Sequence, residues 1–242
     1  AFKLFKDQLP EDKKDKVALL LHTQPVDDNG TDLFAVRDML LGEDPNVLFS
    51  TERISAESMN VLYNLADVTV LPSSNEGWGL ALTESMMAGT MIIANVTGGM
   101  QDQMRFEDEN GDWIKFDENF CSNHFGTYKK CGKWALPVFP SNTSVVGSPK
   151  TPYIFDDRLD FRDLADALMQ SYKMSKEEKI ERGLAGREWV TSDESMASAR
   201  MMNKNVIKYL NQTIDNFKPR NNFEFIKIDK LRVKQLQHKL IY

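Results

Sequence analysis

Cysteine is nearly absent. The 242-residue chain has two, Cys121 and Cys131, too few for a disulfide framework and with no metal-ligand set spaced around them, so they read as reduced thiols. Long apolar runs are missing as well, since none reaches the roughly 20 residues that cross a bilayer. No charged and apolar leader opens the chain. Positive charge is in deficit: 30 Lys and Arg against 36 Asp and Glu give a net charge of -6, which argues against binding dominated by nucleic-acid phosphates. No repeat of fixed period occurs. No Gly-x-Gly-x-x-Gly follows the first apolar run, which argues against a nicotinamide-dependent oxidoreductase. Together these absences predict a globular, cytoplasmic protein. Because the first residue is Ala1 and not Met, they are joined by the expectation of a longer parent polypeptide.

What is present suffices for a core. The chain is 41% hydrophobic and 10% aromatic, enough for one large domain or two small ones. Its most informative stretch is Val68 to Gly99. A buried strand (Val68 to Leu71) runs into a polar turn (Ser73 to Gly79), then a short helix (Leu80 to Ala88), a stop glycine (Gly89) and a second strand (Met91 to Val96). This is one βαβ unit. Gly77 and Gly79 remove side chains where the helix N-terminus is exposed, so a ligand can approach the unpaired amides of its first turn. A helix N-terminus carries about half a positive charge and favours phosphate. Glu76 lies in the turn and Glu84 in the helix. Carboxylates repel phosphate, so their work is to accept hydrogen bonds from hydroxyls; phosphate flanked by polyol on both sides describes a nucleotide sugar.

The string PSSNEGWGLALTESMMAGTMIIA, with Glu76 and Glu84 as Glu-x7-Glu, resembles the donor site of retaining glycosyltransferases of the GT-B fold, the family-4-like group. The segment Leu62 to Ser73 follows the same family's "ly..aDv.vlPS" pattern, and Gly98-Gly99 falls in the family's order. The resemblance covers roughly Val17 through Gly111. It implies Glu76 at the transferred sugar, as the catalytic position, and Glu84 at the ribose hydroxyls. It also implies the amides of Gly79, Leu80 and Ala81, beside Gly77, at the diphosphate. No metal or other cofactor is expected. An N-terminal GT-B half is expected in the full protein, carrying a basic Arg and Lys pair and most acceptor contacts. Thr90 departs from the family's usual proline, and Asp102 from its glutamate. The acceptor, whether glycan, protein or lipid, is not specified.

Elsewhere the chain reads as follows. Ala1 to Lys14 is the tail of a helix ended by Pro10. Val17 to His22 is an apolar run suited to a parallel strand covered on both faces, and Val47 to Phe49 is another strand. A helix spans Asp32 to Leu41 between them. His22 sits at the ligand-binding edge of the first strand, where it is either a donor contact or structural. Arg53, at the exit of the next strand, either flanks the nucleotide base or is solvated. Ser55 opens an amphipathic helix through Ala66. After Gly98 and Gly99, a backbone-exposing turn, come a helix from Met100 to Phe106 and a last short strand from Gly111 to Phe116.

The periodic pattern then disappears from Asp117 to Asp157, which reads as a long irregular insertion near the cleft. Its aromatics, Trp134, Phe139 and Tyr153, either stack on sugar rings or form a minor core. Helices return at Phe161 to Tyr172, from Ser175 toward Val190, and at Ser195 to Phe217. Phe223 to Ile228 alternates like a strand. Lys230, Arg232, Lys234 and Lys239 form a basic segment that reads as a solvated face, the alternative being a contact with a membrane or an acidic partner. Three Asn-x-Thr/Ser matches, beginning at Asn95, Asn142 and Asn211, are read as chance.

The expected architecture is α/β: a Rossmann-like, mainly parallel sheet with helices on both faces, the C-terminal half of a GT-B fold, with C-terminal helices. Residues 1–219 form the nucleotide-sugar-binding domain, including the 117–157 insertion, and 220–242 a tail. The strands at Val17, Val47, Val68 and Met91 are expected side by side in one sheet. The expected function is transfer of a sugar from a nucleoside diphosphate sugar to an acceptor hydroxyl with retention. The alternative is a non-catalytic nucleotide-sugar binding module of the same fold.

Overall fold

A computed structural model describes residues 1–26, 30–115, 122–149 and 151–220. Contacts divide the chain into Ala1–Met201 and Met202–Tyr242. The first unit holds every strand described here.

The chain opens with two short helices, α1 (Phe2–Asp7) and α2 (Glu11–Lys14), separated at Pro10, which caps the second. Strand β1 (Leu19–His22), helix α3 (Leu33–Leu41) and strand β2 (Val47–Ser50) follow, and the two strands pair in parallel with Leu20 opposite Leu48. Those two leucines are 43% and 48% exposed. The pair is therefore not covered on both faces, as its apolar run implied. Helix α4 (Ala56–Leu65) begins at Ser55, whose hydroxyl accepts from the Ser58 amide and satisfies one orphan donor of the first turn.

The core surrounds β4 (Met91–Asn95), which lies between β3 (Val68–Leu71) and β5 (Ala135–Val138) in an all-parallel sheet. Every residue of β4 is buried. Alternation splits them: Ile92, Ala94 and the following Val96 pack with Leu82 and Met86 of α5 (Leu80–Ala88) and with Trp189 of α8 (Lys176–Thr191). Met91 and Ile93 face the other way, onto Leu164 and Ala167 of α7 (Phe161–Lys173). Helices thus cover both faces, which is why β4 reads as a continuous apolar run. The sheet places the ends of β3 and β4 side by side, and the site grows from those ends.

Three expectations are corrected. First, no strand pairing joins β1 and β2 to β3 among the described residues, so the four strands fall into two parallel sheets. An apolar run marks a strand but does not encode which neighbour it pairs with. Second, Gly111 to Phe116 is not a strand within the described residues; after α6 (Met100–Met104) only isolated bridges tie Glu107 to Trp113 and to Lys130. Third, the stretch expected to be irregular from Asp117 to Asp157 contains β5 and an antiparallel hairpin, β6 (Pro140–Ser148) with β7 (Thr151–Leu159). Its prolines masked it. Pro137 is tolerated because β5 is an edge strand, and Pro140 stands at the start of β6 beside a register shift.

The last helix, α9 (Ala199–Asn216), crosses the division after Met201. Beyond Met202 it shows Val206, Leu210 and Ile214 as exposed apolar residues. The expected strand at Phe223 to Ile228 and the basic segment lie outside the described residues. Among the described residues no helix is long and apolar enough to cross a membrane.

Candidate functional site

The turn after β3 and the turn after β4 stack on each other. The amide of Gly99 donates to the Glu76 carbonyl at 3.4 Å, and the Gly98 amide to the Ser122 carbonyl at 2.8 Å. Gly98 has φ +50, and a Cβ there would sit 2.0 Å from the Glu76 carbonyl oxygen; one on Gly99 would sit 2.3 Å from that of Gly77. Only two glycines let these backbones touch. The contribution of Gly98 and Gly99 visible here is thus to seat the Glu76–Gly77 turn.

Gly79, left-handed at φ +85, turns the chain into α5 with no side-chain cap. Its Cβ position lies 3.4 Å from Glu76 Cγ, so the Glu76 side chain folds back over the helix start. No described group accepts from the amides of Gly79, Leu80 or Ala81. Between them these features set a half-buried carboxylate beside a row of free N–H groups. Glu84, on the exposed side of α5, accepts a hydrogen bond at 2.9 Å from the phenol of Tyr63 on α4. Burial and then the Glu84 carboxylate push the Tyr63 phenol well above its ordinary value, so it stays a donor. Thr90, where the resemblance leads one to expect proline, donates to the Tyr63 carbonyl at 2.7 Å and fixes that end of α4.

His22 belongs to the other sheet, and Arg53 to the loop that leaves it. His22 Nδ1 pairs with Ser50 Oγ at 2.9 Å, across the ends of β1 and β2, and Arg53 lies exposed in the loop after β2. Among the described residues no hydrogen bond links either to the Glu76 turn. The structure thus brings Glu76, Gly77, Gly79, Leu80, Ala81, Gly98 and Gly99 together, with Glu84 along α5, and leaves His22 and Arg53 on separate elements.

Asp157 was not foreseen. It is fully buried on β7, accepts from the hydroxyls of Thr97 at 2.7 Å and Thr143 at 2.8 Å, and its amide donates to the Ser74 carbonyl at 2.8 Å. Asn95, also fully buried and so no glycan acceptor, donates to the carbonyls of Asp157 at 2.6 Å and Ser73 at 2.9 Å. Burial opposes ionisation of Asp157. Ser122, Asn123, Thr97 and Thr143 outweigh it and hold the carboxyl below its usual range, although the Asn123 amide nitrogen lies near without closing a hydrogen bond. The hairpin is therefore bolted to the Ser73–Gly79 turn. No sequence signal marked it, because the stretch carries no period. Cys131 is inert by contrast: burial pushes its thiol up to about 12. Cys121 lies outside the described residues. Among the described residues no group of His, Cys, Asp and Glu could hold a metal ion.

Comparison with known proteins adds a family match over part of the chain. Residues 39–119 match the family model of glycosyl transferases group 1. An uncharacterized glycosyltransferase of Methanocaldococcus jannaschii is 29% identical over 91 residues, 38% of this chain and 23% of that protein. A D-inositol 3-phosphate glycosyltransferase of Thermomonospora curvata is 46% identical over 43 residues, 18% of this chain and 10% of that one. The matches thus span a quarter or less of those relatives' lengths. Among solved structures, sucrose-phosphate synthase of Thermosynechococcus elongatus superposes with TM-score 0.53 at 18% identity, over 88% of this chain and 48% of that one. HepE of Anabaena, in complex with UDP-glucose, gives 0.56 at 12% identity, over 87% and 44%. At such identities the likeness is one of fold, the α/β arrangement of parallel sheets flanked by helices seen in GT-B glycosyltransferases.

Proposed function

We propose that this chain, a group 1 glycosyltransferase segment over residues 39–119 with a GT-B-type α/β fold, is the donor-binding half of a retaining glycosyltransferase. It would move a hexose-like sugar from a nucleoside diphosphate to an acceptor hydroxyl. The observation that carries this reading is the row of unpaired amides from Gly79 to Ala81 set between Glu76 and Glu84. Each part has a distinct task. The α5 amides and the positive end of its dipole receive the diphosphate and stabilise the charge that develops on it as the glycosidic bond breaks. Glu76, half-buried beside Gly79, accepts from hydroxyls of the transferred sugar. Glu84, held by Tyr63, accepts from the ribose. The chain spans under half the length of the matched solved structures. The acceptor contacts and the basic pair for the phosphates are assigned to an N-terminal half.

The test separates the two glutamates. A thermal-shift screen of UDP-, GDP- and ADP-sugars identifies the donor, and calorimetry then compares the free nucleotide with its sugar. Glu84→Ala is expected to weaken both alike, and Glu76→Ala only the nucleotide sugar. Loss of a charged hydrogen bond of roughly 1.5 to 3 kcal/mol corresponds to about ten- to a hundred-fold in affinity. Wild-type donor affinity in Glu76→Ala, with wild-type turnover when the same change is made in the full-length protein, would remove the sugar contact from the scheme.

A further inference from the structure

Behind the Gly79 turn, Trp78, Thr83 and Gln103 close a ring of hydrogen bonds. Trp78 Nε1 donates to Thr83 Oγ1 at 2.9 Å, and Thr83 donates to Gln103 Oε1 at 2.7 Å. Gln103 Nε2 returns to the Trp78 carbonyl at 2.5 Å and to the Gly79 carbonyl at 3.2 Å. Thr83 and Gln103 are buried, the latter completely.

The direction of the ring is fixed by its protons. An indole N–H can only donate, so the Thr83 hydroxyl must pass its own proton to Gln103. That orients the Gln103 oxygen toward Thr83 and leaves both amide hydrogens for the two carbonyls. Meanwhile the Gln103 carbonyl accepts from Trp134 Nε1 at 3.1 Å, which anchors α6 in the core. No polar atom of the Gln103 side chain is left over.

Gripping two carbonyls aims two amides. A trans peptide is planar, with its C=O and N–H pointing in opposite directions, and among the described residues there are no cis bonds. The Trp78 carbonyl shares a plane with the Gly79 N–H, and the Gly79 carbonyl with the Leu80 N–H. Gln103 holds the Trp78 carbonyl on the α6 side, and it holds the Gly79 carbonyl there together with the Leu82 amide, which donates to it at 2.9 Å; both N–H groups are thus turned away from Gln103, and no described group accepts from them.

We propose that Gln103 is a positioning residue that sets the aim of the Gly79 and Leu80 amides on the pyrophosphate of a nucleotide donor, with Thr83 and Trp78 locking its side-chain amide in the required orientation. This rests on the donor-site reading above. It adds that the pyrophosphate contact depends on a side chain that touches no ligand. Gln103 acts on the phosphate-facing amides alone, so the nucleoside part of the ligand does not feel it.

The experiment measures affinities of the full chain for UDP, GDP and ADP and for the matching nucleosides, in wild type and in Gln103→Leu, with melting temperatures alongside. Gln103→Leu removes the grip at similar size. Expected is a five- to thirty-fold loss of nucleoside diphosphate affinity with nucleoside affinity unchanged. Gln103→Glu, which presents oxygen to the two carbonyls, is expected to lose at least as much. Should Gln103→Leu fail to fold, Thr83→Val decides, since it breaks the ring one bond earlier and is expected to shift the same ratio in the same direction. An unchanged ratio of diphosphate to nucleoside affinity in the folded variant overturns the proposal while the donor site stands. Wild type that binds none of the three diphosphates overturns both.

Discussion

The phenol of Tyr63 donates to Oε2 of Glu84 at 2.9 Å, joining α4 to α5 across 21 positions of sequence. The carboxylate assigned to the ribose is thereby held in one rotamer before any ligand arrives. Tyr63→Phe is expected to keep the fold and to weaken nucleotide binding about two- to ten-fold, since it releases the acceptor without removing it. Calorimetry against Glu84→Ala checks the ranking. The same bond has a pH signature. Because the folded phenol titrates above its ordinary value of 10.0, its contribution to stability is complete below that value and is lost as pH rises past it. Denaturant melts between pH 9 and 11 should show a shallower alkaline decline in Tyr63→Phe.

Gly98 and Gly77 make a matched pair for testing the stacked turns. A Cβ on Gly98 meets the Glu76 carbonyl at 2.0 Å at a positive φ, whereas one on Gly77 meets nothing within 4 Å. Gly98→Ala is expected to cost about 1–3 kcal/mol and to displace the Glu76 turn, lowering the melting temperature by several degrees. Gly77→Ala should melt near wild type. Equal melting temperatures for the two variants would contradict the close approach.

Asp157 gives an acid-side signature. Its folded carboxyl lies below the ordinary value of 3.8, so its contribution is complete above that value, and as pH falls further the unfolded chain takes the proton first and stability drops. Asp157→Asn should flatten the part of the acid decline that belongs to this residue. At neutral pH the same variant should be less stable, since an amide facing Thr97 and Thr143 cannot accept all the bonds the carboxylate did. Urea titrations at pH 3 and pH 7 measure both effects.

Helix α8 supplies a purely structural control. A Cβ on Gly183 would lie 1.9 Å from the Gly89 carbonyl oxygen, where α8 presses on the end of α5. Gly183→Ala is expected to destabilise by roughly 1–3 kcal/mol through overpacking, read as a lowered urea midpoint. Nucleotide-sugar affinity of the folded fraction should be unaffected, in contrast to Gly98→Ala, which displaces the Glu76 turn.

The sequence alone determined the βαβ unit around Glu76 and Glu84. Its signals are local: an apolar run bounded by a glycine turn, a helix closed by Gly89, and two acids spaced eight positions apart, all of which survive in β3, α5 and β4. Helices α4, α7 and α8 were legible for the same reason, because Ser55, Asp160 and Ser175 cap them with their own side chains. What only the tertiary structure decided depends on contacts between distant residues. The hairpin of β6 and β7 has no period to announce it; it is held by Asp157 reaching Thr97, 60 positions away. The division into two parallel sheets rests on strand partners that no single run encodes. Gln103 reads as one polar residue among buried methionines, and its role emerges only when folding sets it against the carbonyls of Trp78 and Gly79. Periodicity reports which face a residue turns inward, and burial then demands a partner for each polar group without naming which one.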